Sequence, residues 1–312
     1  MRRAARAPEP GEIEGIVVLD KPAGPTSHDL VALVRRLSGV RRVGHGGTLD
    51  PFATGVLPVF IGRATRLVEY HMADEKAYRT VVAFGARSTT DDLDGELTAG
   101  EGPLPDRPAV EAALAGFRGP IRQVPPDYSA VRLAGRRAYA MARVGEKPVL
   151  PPRDVEIREL GLVDWTDDAE RPTATLELRC SAGTYVRALA RDLGERLGCG
   201  AFLVSLTRTA SGPFQLSRAH GPDAVREAFS AGRPQRVLIP ADTGLEAFPQ
   251  FTLGGDDLAA LLRGQVVRAG NPVPPPGSSH YRVRDASGRL AAIARLEGGR
   301  LHPEKVFLGP GD

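Results

Sequence analysis

The sequence has only two cysteines, Cys180 and Cys199, and neither their number nor their spacing makes a disulfide framework or a zinc site. They read as small structural residues of a chain kept in a reducing compartment, so the cytoplasm is the expected location. No run approaches the roughly 18 uninterrupted apolar residues that a membrane-spanning helix needs. The Arg-rich opening MRRAARAPEPGE has no apolar segment behind it, which leaves secretion and membrane attachment without support. The six histidines, at 28, 45, 71, 220, 280 and 302, have no paired ligand spacing, so no metal is expected. The chain also lacks GxxxxGK[ST], which argues against a nucleoside-triphosphate cradle, and lacks a G-x-S-x-G elbow.

What is present is a chain of 312 residues, 42% hydrophobic and 25% charged, enough to bury a core in one large domain or two. The net charge of +3 looks too small for a polyanion partner, but it averages over a strong pattern. Residues 31–70 carry six arginines and two acids, residues 116–160 nine basic and five acidic residues, and residues 179–218 six arginines and two acids. Residues 88–115 carry one arginine against seven acids. Three basic windows make a basic face only if the fold brings them together. Of 41 basic residues 37 are arginine, which suits bidentate phosphate contacts and equally reflects a GC-rich genome.

Glycine and proline punctuate the chain, with 36 and 27 residues, and disfavour long helical bundles. GIVVLD (15–20) and VLPVFIG (56–62) read as strands, and YRTVVAFG (78–85) puts Tyr78, Thr80, Val82 and Phe84 on one strand face. Thr26 or Ser27 can cap a helix over Asp29 to Leu37, with Gly39 ending it. STTDDLDGE (88–96) reads as a solvated loop, and PAVEAALAGF (108–117) as a helix with proline at its start. TATLELRC (173–180) alternates as a strand, then SAGT leads into a helix over 185–198 with Thr184 as the expected cap. Near 245 the text changes to a short β-rich segment, with a PVPPPGSS surface loop and two alternating runs joined by Ala-Ser-Gly.

The segment GVRRVGHGGTLDPFATGVLP (39–58) is the densest unusual text. Glycines 44, 46 and 47 allow positive φ or close approach to a ligand, and Thr48-Leu49-Asp50-Pro51 fixes one carboxylate at the end of the loop. Arg41, Arg42 and His45 precede it, where a phosphate backbone could be held while Asp50 meets what that backbone carries. A plain Gly-rich turn with an Asx-type cap at Asp50 fits the same text. A hydrolase-type carboxylate pair would need a second acid, which the run at 91–96 could supply.

GIVVLDKPAGPTSHD, GHGGTLDPFATGVLPVFIGRATRL, KAYRTVVAFG, CSAGTYVRALARDLGERLGCGAFLVSLTRTASGPF and the closing HPEKVF, in this order, resemble the TruB family of tRNA pseudouridine-55 synthases. The resemblance covers most of the chain, and GHxGTLDPxATGVLP is highly specific. It implies isomerisation of uridine 55 in the T loop of tRNA by base flipping, with no cofactor and no metal, on a single catalytic aspartate, Asp50. Position by position it implies that Tyr78 stacks on the extruded base, that Arg187 pairs with Asp50, that Tyr185 contacts substrate and that Leu206 walls the pocket. His45 would take the place of the flipped base in the RNA loop. Lys21 and Pro22 belong to the family's first motif, either at the substrate or as a turn that supports the catalytic loop. Arg41 and Arg42 are expected on the RNA backbone.

The implied fold is α+β, with a mixed, largely antiparallel central sheet flanked by helices. The expected layout is a mobile leader over 1–11, a catalytic domain over 12–245 and a PUA-like RNA-binding domain over 246–312, in a monomer. Rival readings are an RNA-binding protein without catalysis, a guide-RNA-dependent pseudouridine synthase, and a carboxylate-pair hydrolase that releases free base.

Overall fold

A computed structural model describes residues 13–129, 131–133, 136–142, 146, 149–269 and 278–309. The leader over 1–11 and residues 272–277 of the PVPPPGSS loop lie outside the described residues. The first stretch runs β1 (Gly15–Lys21), α1 (Ser27–Ser38), β2 (Val43–His45), β3 (Thr54–Ile61), α2 (Val68–Met72) and β4 (Lys76–Phe84). A hairpin of β5 (Ala86–Ser88) and β6 (Leu97–Ala99) follows, then α3 (Arg107–Leu114), β7 (Gly119–Gln123), β8 (Arg132–Leu133), β9 (Arg136–Arg137) and α4 (Ala138–Ala142). Next come β10 (Arg153–Thr166), β11 (Thr173–Cys180), α5 (Val186–Leu197), β12 (Ala201–Ser211), β13 (Phe214–Gln215), α6 (Pro222–Ser230) and β14 (Leu238–Ile239). The C-terminal part holds β15 (Gln250–Thr252), α7 (Gly255–Leu262), β16 (Val267–Arg268), β17 (Tyr281–Arg284), β18 (Leu290–Glu297) and β19 (Arg300–Val306).

The protein is α+β. Its large sheet has the order β14-β1-β3-β12-β4-β11-β10-β7, with β2 beside β3 and β13 beside β12. Neighbours are antiparallel except β3 and β12, which run parallel with Thr54 opposite Thr207 and Gly55 opposite Arg208. This junction sets the end of the 46–55 loop against Leu206 and Arg208, although more than 150 residues separate them. The strand β3 is buried from Gly55 to Ile61, which is why it reads as an unbroken apolar run and not as an alternation. Leu57, Val59 and Ile61 enter a core shared with α1, α3, α5 and α6. On the opposite face Val56 and Phe60 pack with Ala64 and Phe214.

Local chemistry sets several boundaries as expected. Thr26 caps α1 through a reciprocal capping box with Asp29, and Gly39 ends the helix at φ 67°. Asp106 caps α3 ahead of Pro108. The alternation of TATLELRC gives β11 with Ala174, Leu176, Leu178 and Cys180 buried. Two expectations are corrected. Thr184 does not cap α5, because its hydroxyl donates to Ser181 O (2.9 Å) and closes the preceding turn. The entry to the helix is secured instead by Gln123, whose Oε1 accepts from Tyr185 N (2.8 Å) and whose Nε2 donates to Tyr185 O (3.1 Å). The second correction concerns the acidic run: its first two aspartates are not solvated, and Asp92 is only 3% exposed.

The small C-terminal sheet has the order β15-β17-β18-β19-β16 and its own core around Phe251, Leu261, Val267, Tyr281 and Val283. The expected two runs are three strands, because Gly298–Gly299 turns the chain once more between β18 and β19. Leu67, Leu245, Ile293 and Phe307 form a cluster between this sheet and the large one, and Arg63 donates to the Phe307 carbonyl. Burying each of these apolar side chains contributes about 1.5–3 kcal/mol to the contact. Among the described residues no helix is long and apolar enough to cross a membrane.

Candidate active site

The loop that carries Asp50 is held from three sides. Below it, Lys21 is fully buried, and its Nζ donates to the carbonyls of Pro22 (2.9 Å), Pro51 (2.9 Å) and Ala53 (2.7 Å). Burial lowers the Lys21 ammonium to about 8 against the pull of Asp50. From α1, Ser27 Oγ donates to Leu49 O (3.0 Å) and accepts from Leu49 N (2.9 Å). From β12, Arg208 is 2% exposed and donates to Val56 O (2.7 Å), Gly47 O (3.0 Å) and Thr48 O (3.4 Å). Gly47 sits at φ +123° and Gly55 at φ +97°, and a Cβ on Gly55 would lie 2.3 Å from Arg208 O. Only glycine lets the two strands meet there. Of the three loop glycines expected to need such freedom, only Gly47 has a positive φ, while Gly46 lies against the Phe60 ring.

Arg187, in the first turn of α5, is 4% exposed and lies with Nε 3.0 Å from Asp50 Oδ2. Its Nη1 donates to Thr90 O (2.9 Å) and lies 3.4 Å from Asp92 Oδ2, and its Nη2 donates to Tyr128 O (2.7 Å). A buried guanidinium is tolerable only when its donors are met in this way. One turn on, Arg191 pairs with Asp91 (3.2 Å) and donates to Val124 O (2.9 Å). Both arginines therefore bridge the β5–β6 hairpin to the 124–128 segment. Burial pushes the Asp91 carboxyl up to about 6, opposed by Arg191 and then Arg187. Burial also raises Asp92, opposed by the Thr90 hydroxyl and by Arg187. Asp92 and Asp94 line the outer cavity together with Asp50, but Asp92 is tied to the same guanidinium as Asp50 and to the Thr90 hydroxyl, and neither acid lines the cavity that holds Tyr78 and Leu206.

Two cavities meet at Asp50. The inner one, about 260 Å³, is lined by Tyr78, Leu206, Tyr185, Lys76 and Arg208 among others. The outer one, about 670 Å³, is lined by His28, His45, Phe52, Tyr128 and Tyr139 among others. Thr48, Leu49, Asp50, Ser129 and Arg187 line both and form the neck between them. Asp50, Tyr78, Tyr185, Arg187 and Leu206 are thus brought together. Tyr78 ends the strand face that Thr80, Val82 and Phe84 continue into the core, and burial raises its phenol above the usual range, with Arg208 opposing. It is a neutral hydrogen-bonding aromatic at neutral pH. Burial, then Arg208 and His28, lower His45, whose Nδ1 accepts from Gly47 N (3.3 Å).

Lys21 lines neither cavity, and its three donors meet the carbonyls of Pro22, Pro51 and Ala53 beneath the loop that carries Asp50. Arg41 and Arg42 are exposed and also line neither cavity. Sequence reasoning missed Arg208 and Asp92. The signal for Arg208 was its place two residues after Leu206, on the same strand face as a pocket-wall residue. Asp92 had no local signal, since a buried acid in an acidic run looks like its solvated neighbours. Among the described residues no group of three or more His, Cys, Asp or Glu could hold a metal ion.

The chain matches the model of the TruB family pseudouridylate synthase N-terminal domain over residues 35–186. It matches that of the tRNA pseudouridylate synthase B C-terminal domain over residues 187–246. It is 47% identical over 296 residues to a protein of Parasynechococcus marenigrum (strain WH8102) named tRNA pseudouridine synthase B, covering 94% of this chain and 97% of that one. A protein of the same name from Rhodopseudomonas palustris (strain ATCC BAA-98 / CGA009) is 42% identical over 302 residues, covering 95% and 81%. Among solved structures, a chain of an H/ACA RNP bound to a substrate RNA containing 2′-deoxyuridine superposes with a TM-score of 0.69 at 23% identity, covering 95% of this chain and 86% of that one. A chain of a Cbf5-Nop10-Gar1 complex gives the same score at 24% identity, with 95% and 85% covered. These two likenesses concern the fold. With family models matching residues 35–246, a span that contains the loop holding Asp50, and identity above 40% over nearly the whole chain, the protein belongs to the TruB family of pseudouridylate synthases and is an isomerase.

Proposed function

We propose that the enzyme converts uridine 55 in the T loop of tRNA to pseudouridine, with Asp50 as its catalytic carboxylate and with no metal or cofactor. The observation that carries this reading is that Asp50 is the one carboxylate among the described residues lining the inner cavity, and that it stands in the neck beside Arg187. The target base sits buried in its RNA loop, so it has to be flipped into that cavity, between Tyr78 and Leu206. There the N1–C1′ bond breaks, the uracil turns, C5 bonds to C1′, the C5 proton is lost and N1 takes up a proton, so that atoms balance. Asp50 serves as nucleophile or charge stabiliser at the reacting centre. Tyr185 and His45 contact the nucleotide and the gap it leaves.

The name its relatives carry supports tRNA as the substrate. The T-stem-loop would lie along the outer cavity, with Arg41 and Arg42 on its backbone and the β15–β19 sheet, within residues 246–312, gripping the RNA beyond it as a PUA-like module. The enzyme would act as a monomer in the cytoplasm, where tRNA is made. Purified protein incubated with a T-stem-loop transcript alone should yield pseudouridine, detected by carbodiimide labelling, and Asp50→Asn should yield none. Full turnover by a folded Asp50→Asn variant would overturn the role of Asp50. A requirement for a guide RNA or accessory proteins would favour the mode suggested by the fold likeness to H/ACA RNP chains, and free uracil would mean a hydrolase.

A further inference from the structure

We infer that the Ser129 hydroxyl binds the 2′-hydroxyl of the flipped uridine's ribose, an inference that rests on the proposed reaction. Ser129 is 4% exposed, and its Oγ meets no hydrogen-bond partner among the described residues. A buried hydroxyl left unpaired costs free energy, and such groups persist in native proteins where a ligand completes them. Three other side-chain atoms share this condition, His71 Nε2, Arg153 Nε and Arg187 Nε. The first two belong to residues that line neither cavity, and the third faces Asp50.

The place of Ser129 identifies its ligand. It belongs to the neck that both cavities share. With the base in the inner cavity and the RNA chain in the outer one, the neck holds the sugar that joins them. Of the other neck residues, Asp50 and Arg187 face each other, Leu49 is apolar, and Thr48 is exposed, so water already serves its hydroxyl. Ser129 is also held in place. Its carbonyl accepts from Tyr139 N (3.1 Å), and the carbonyl of its neighbour Tyr128 accepts from Arg187 Nη2 (2.7 Å). A fixed hydroxyl that can both donate and accept matches a 2′-hydroxyl, the group by which a protein tells RNA from DNA at a single position.

The test uses the full-length protein and two T-stem-loop RNAs that differ only in carrying uridine or 2′-deoxyuridine at the target position. Single-turnover rates are measured for wild type and Ser129→Ala. The ribo-to-deoxy rate ratio should fall about tenfold in the variant, the scale of one hydrogen bond to a neutral partner. The intrinsic effect of the 2′-hydroxyl on the glycosidic bond is common to both enzymes and cancels. Ser129→Ala should also melt at the same temperature as wild type or higher, since it removes an unpaired buried group. An unchanged ratio, full activity on the ribo substrate, or a lower melting temperature would each overturn the assignment, the last by showing a structural role. If wild type leaves the target uridine unmodified, the proposed reaction itself fails; with wild-type turnover present, the ratio decides on Ser129 alone.

Discussion

Arg187 lies 3.0 Å from Asp50 through Nε, yet that N–H is not directed along the contact and makes no hydrogen bond within the described residues. The arginine is aligned by Thr90 O and Tyr128 O through Nη1 and Nη2. The guanidinium is thus anchored by the β5–β6 hairpin and the 124–128 segment, and it accompanies Asp50 without locking it. A carboxylate held this way can change partner during a reaction while its counter-charge stays fixed.

Arg187→Gln should therefore reduce turnover on a T-stem-loop by about 100-fold or more while tRNA affinity changes by less than about threefold, the signature of an interaction made with the reacting group. Arg187→Lys should rescue little, because one ammonium nitrogen cannot occupy the three separate positions from which Nε, Nη1 and Nη2 reach Asp50, Thr90 O and Tyr128 O. Single-turnover rates and filter binding separate the two effects. Equal losses in both would mean that Arg187 binds phosphate.

Asp50→Asn should lower the rate by about 1,000-fold or more with an unchanged melting curve and unchanged binding, since the amide keeps the shape but not the charge. Mass-neutral conversion followed by carbodiimide labelling is the readout.

Arg208→Ala should destabilise the fold by about 3 kcal/mol in urea unfolding, because the carbonyls of Gly47, Thr48 and Val56 lose a buried cation that serves all three. Activity should fall even in molecules that remain folded, since the loop bearing Asp50 loses one of its three supports. A variant as stable as wild type would show that Arg208 does not clamp the loop.

Asp91 sets a pH dependence. Its carboxyl is raised by burial to about 6 in the folded protein from an ordinary 3.8. The native state therefore holds more protons than the unfolded one between those values, and this residue's contribution to stability falls as pH rises from about 4 to about 6. Asp91→Asn should abolish that fall and leave the protein relatively more stable at pH 7 than at pH 4, in thermal melts referenced to wild type. Asp91 also has φ 63°, a conformation asparagine tolerates. Asp91→Ala should consequently be less stable than Asp91→Asn by about 1 kcal/mol. A wild-type minus Asn difference that does not move with pH would refute the raised carboxyl.

Removing Arg41 and Arg42 together should weaken tRNA binding and flatten its log–log salt dependence by about one for each phosphate no longer neutralised. Both side chains are exposed and line neither cavity, so the single-turnover rate at saturating RNA should not change. An unaltered salt slope would put the RNA backbone elsewhere.

What the sequence by itself determined about this protein is what short-range chemistry decides. The cap of Thr26 with Asp29, the stop at Gly39, the alternation of β11 and the rigid turn before Asp50 each depend on residues a few positions apart, so their pattern is written in the chain. The resemblance named the pairing of Arg187 with Asp50, but spacing alone could not have found it across 137 positions. Tertiary structure decided what depends on strand order and depth. The parallel register of β3 and β12 makes Arg208 a clamp on the Asp50 loop. The seat of the β5–β6 hairpin against α5 turns Asp91 and Asp92 from apparent surface acids into partners of Arg191 and Arg187, Asp91 partly buried and Asp92 fully so. Only the fold shows that Lys21 is buried with its three donors on carbonyls beneath the loop. The physical reason is common to all of them: a charged side chain carries the same letter whether solvated or buried, and its role is set by the groups that replace its water.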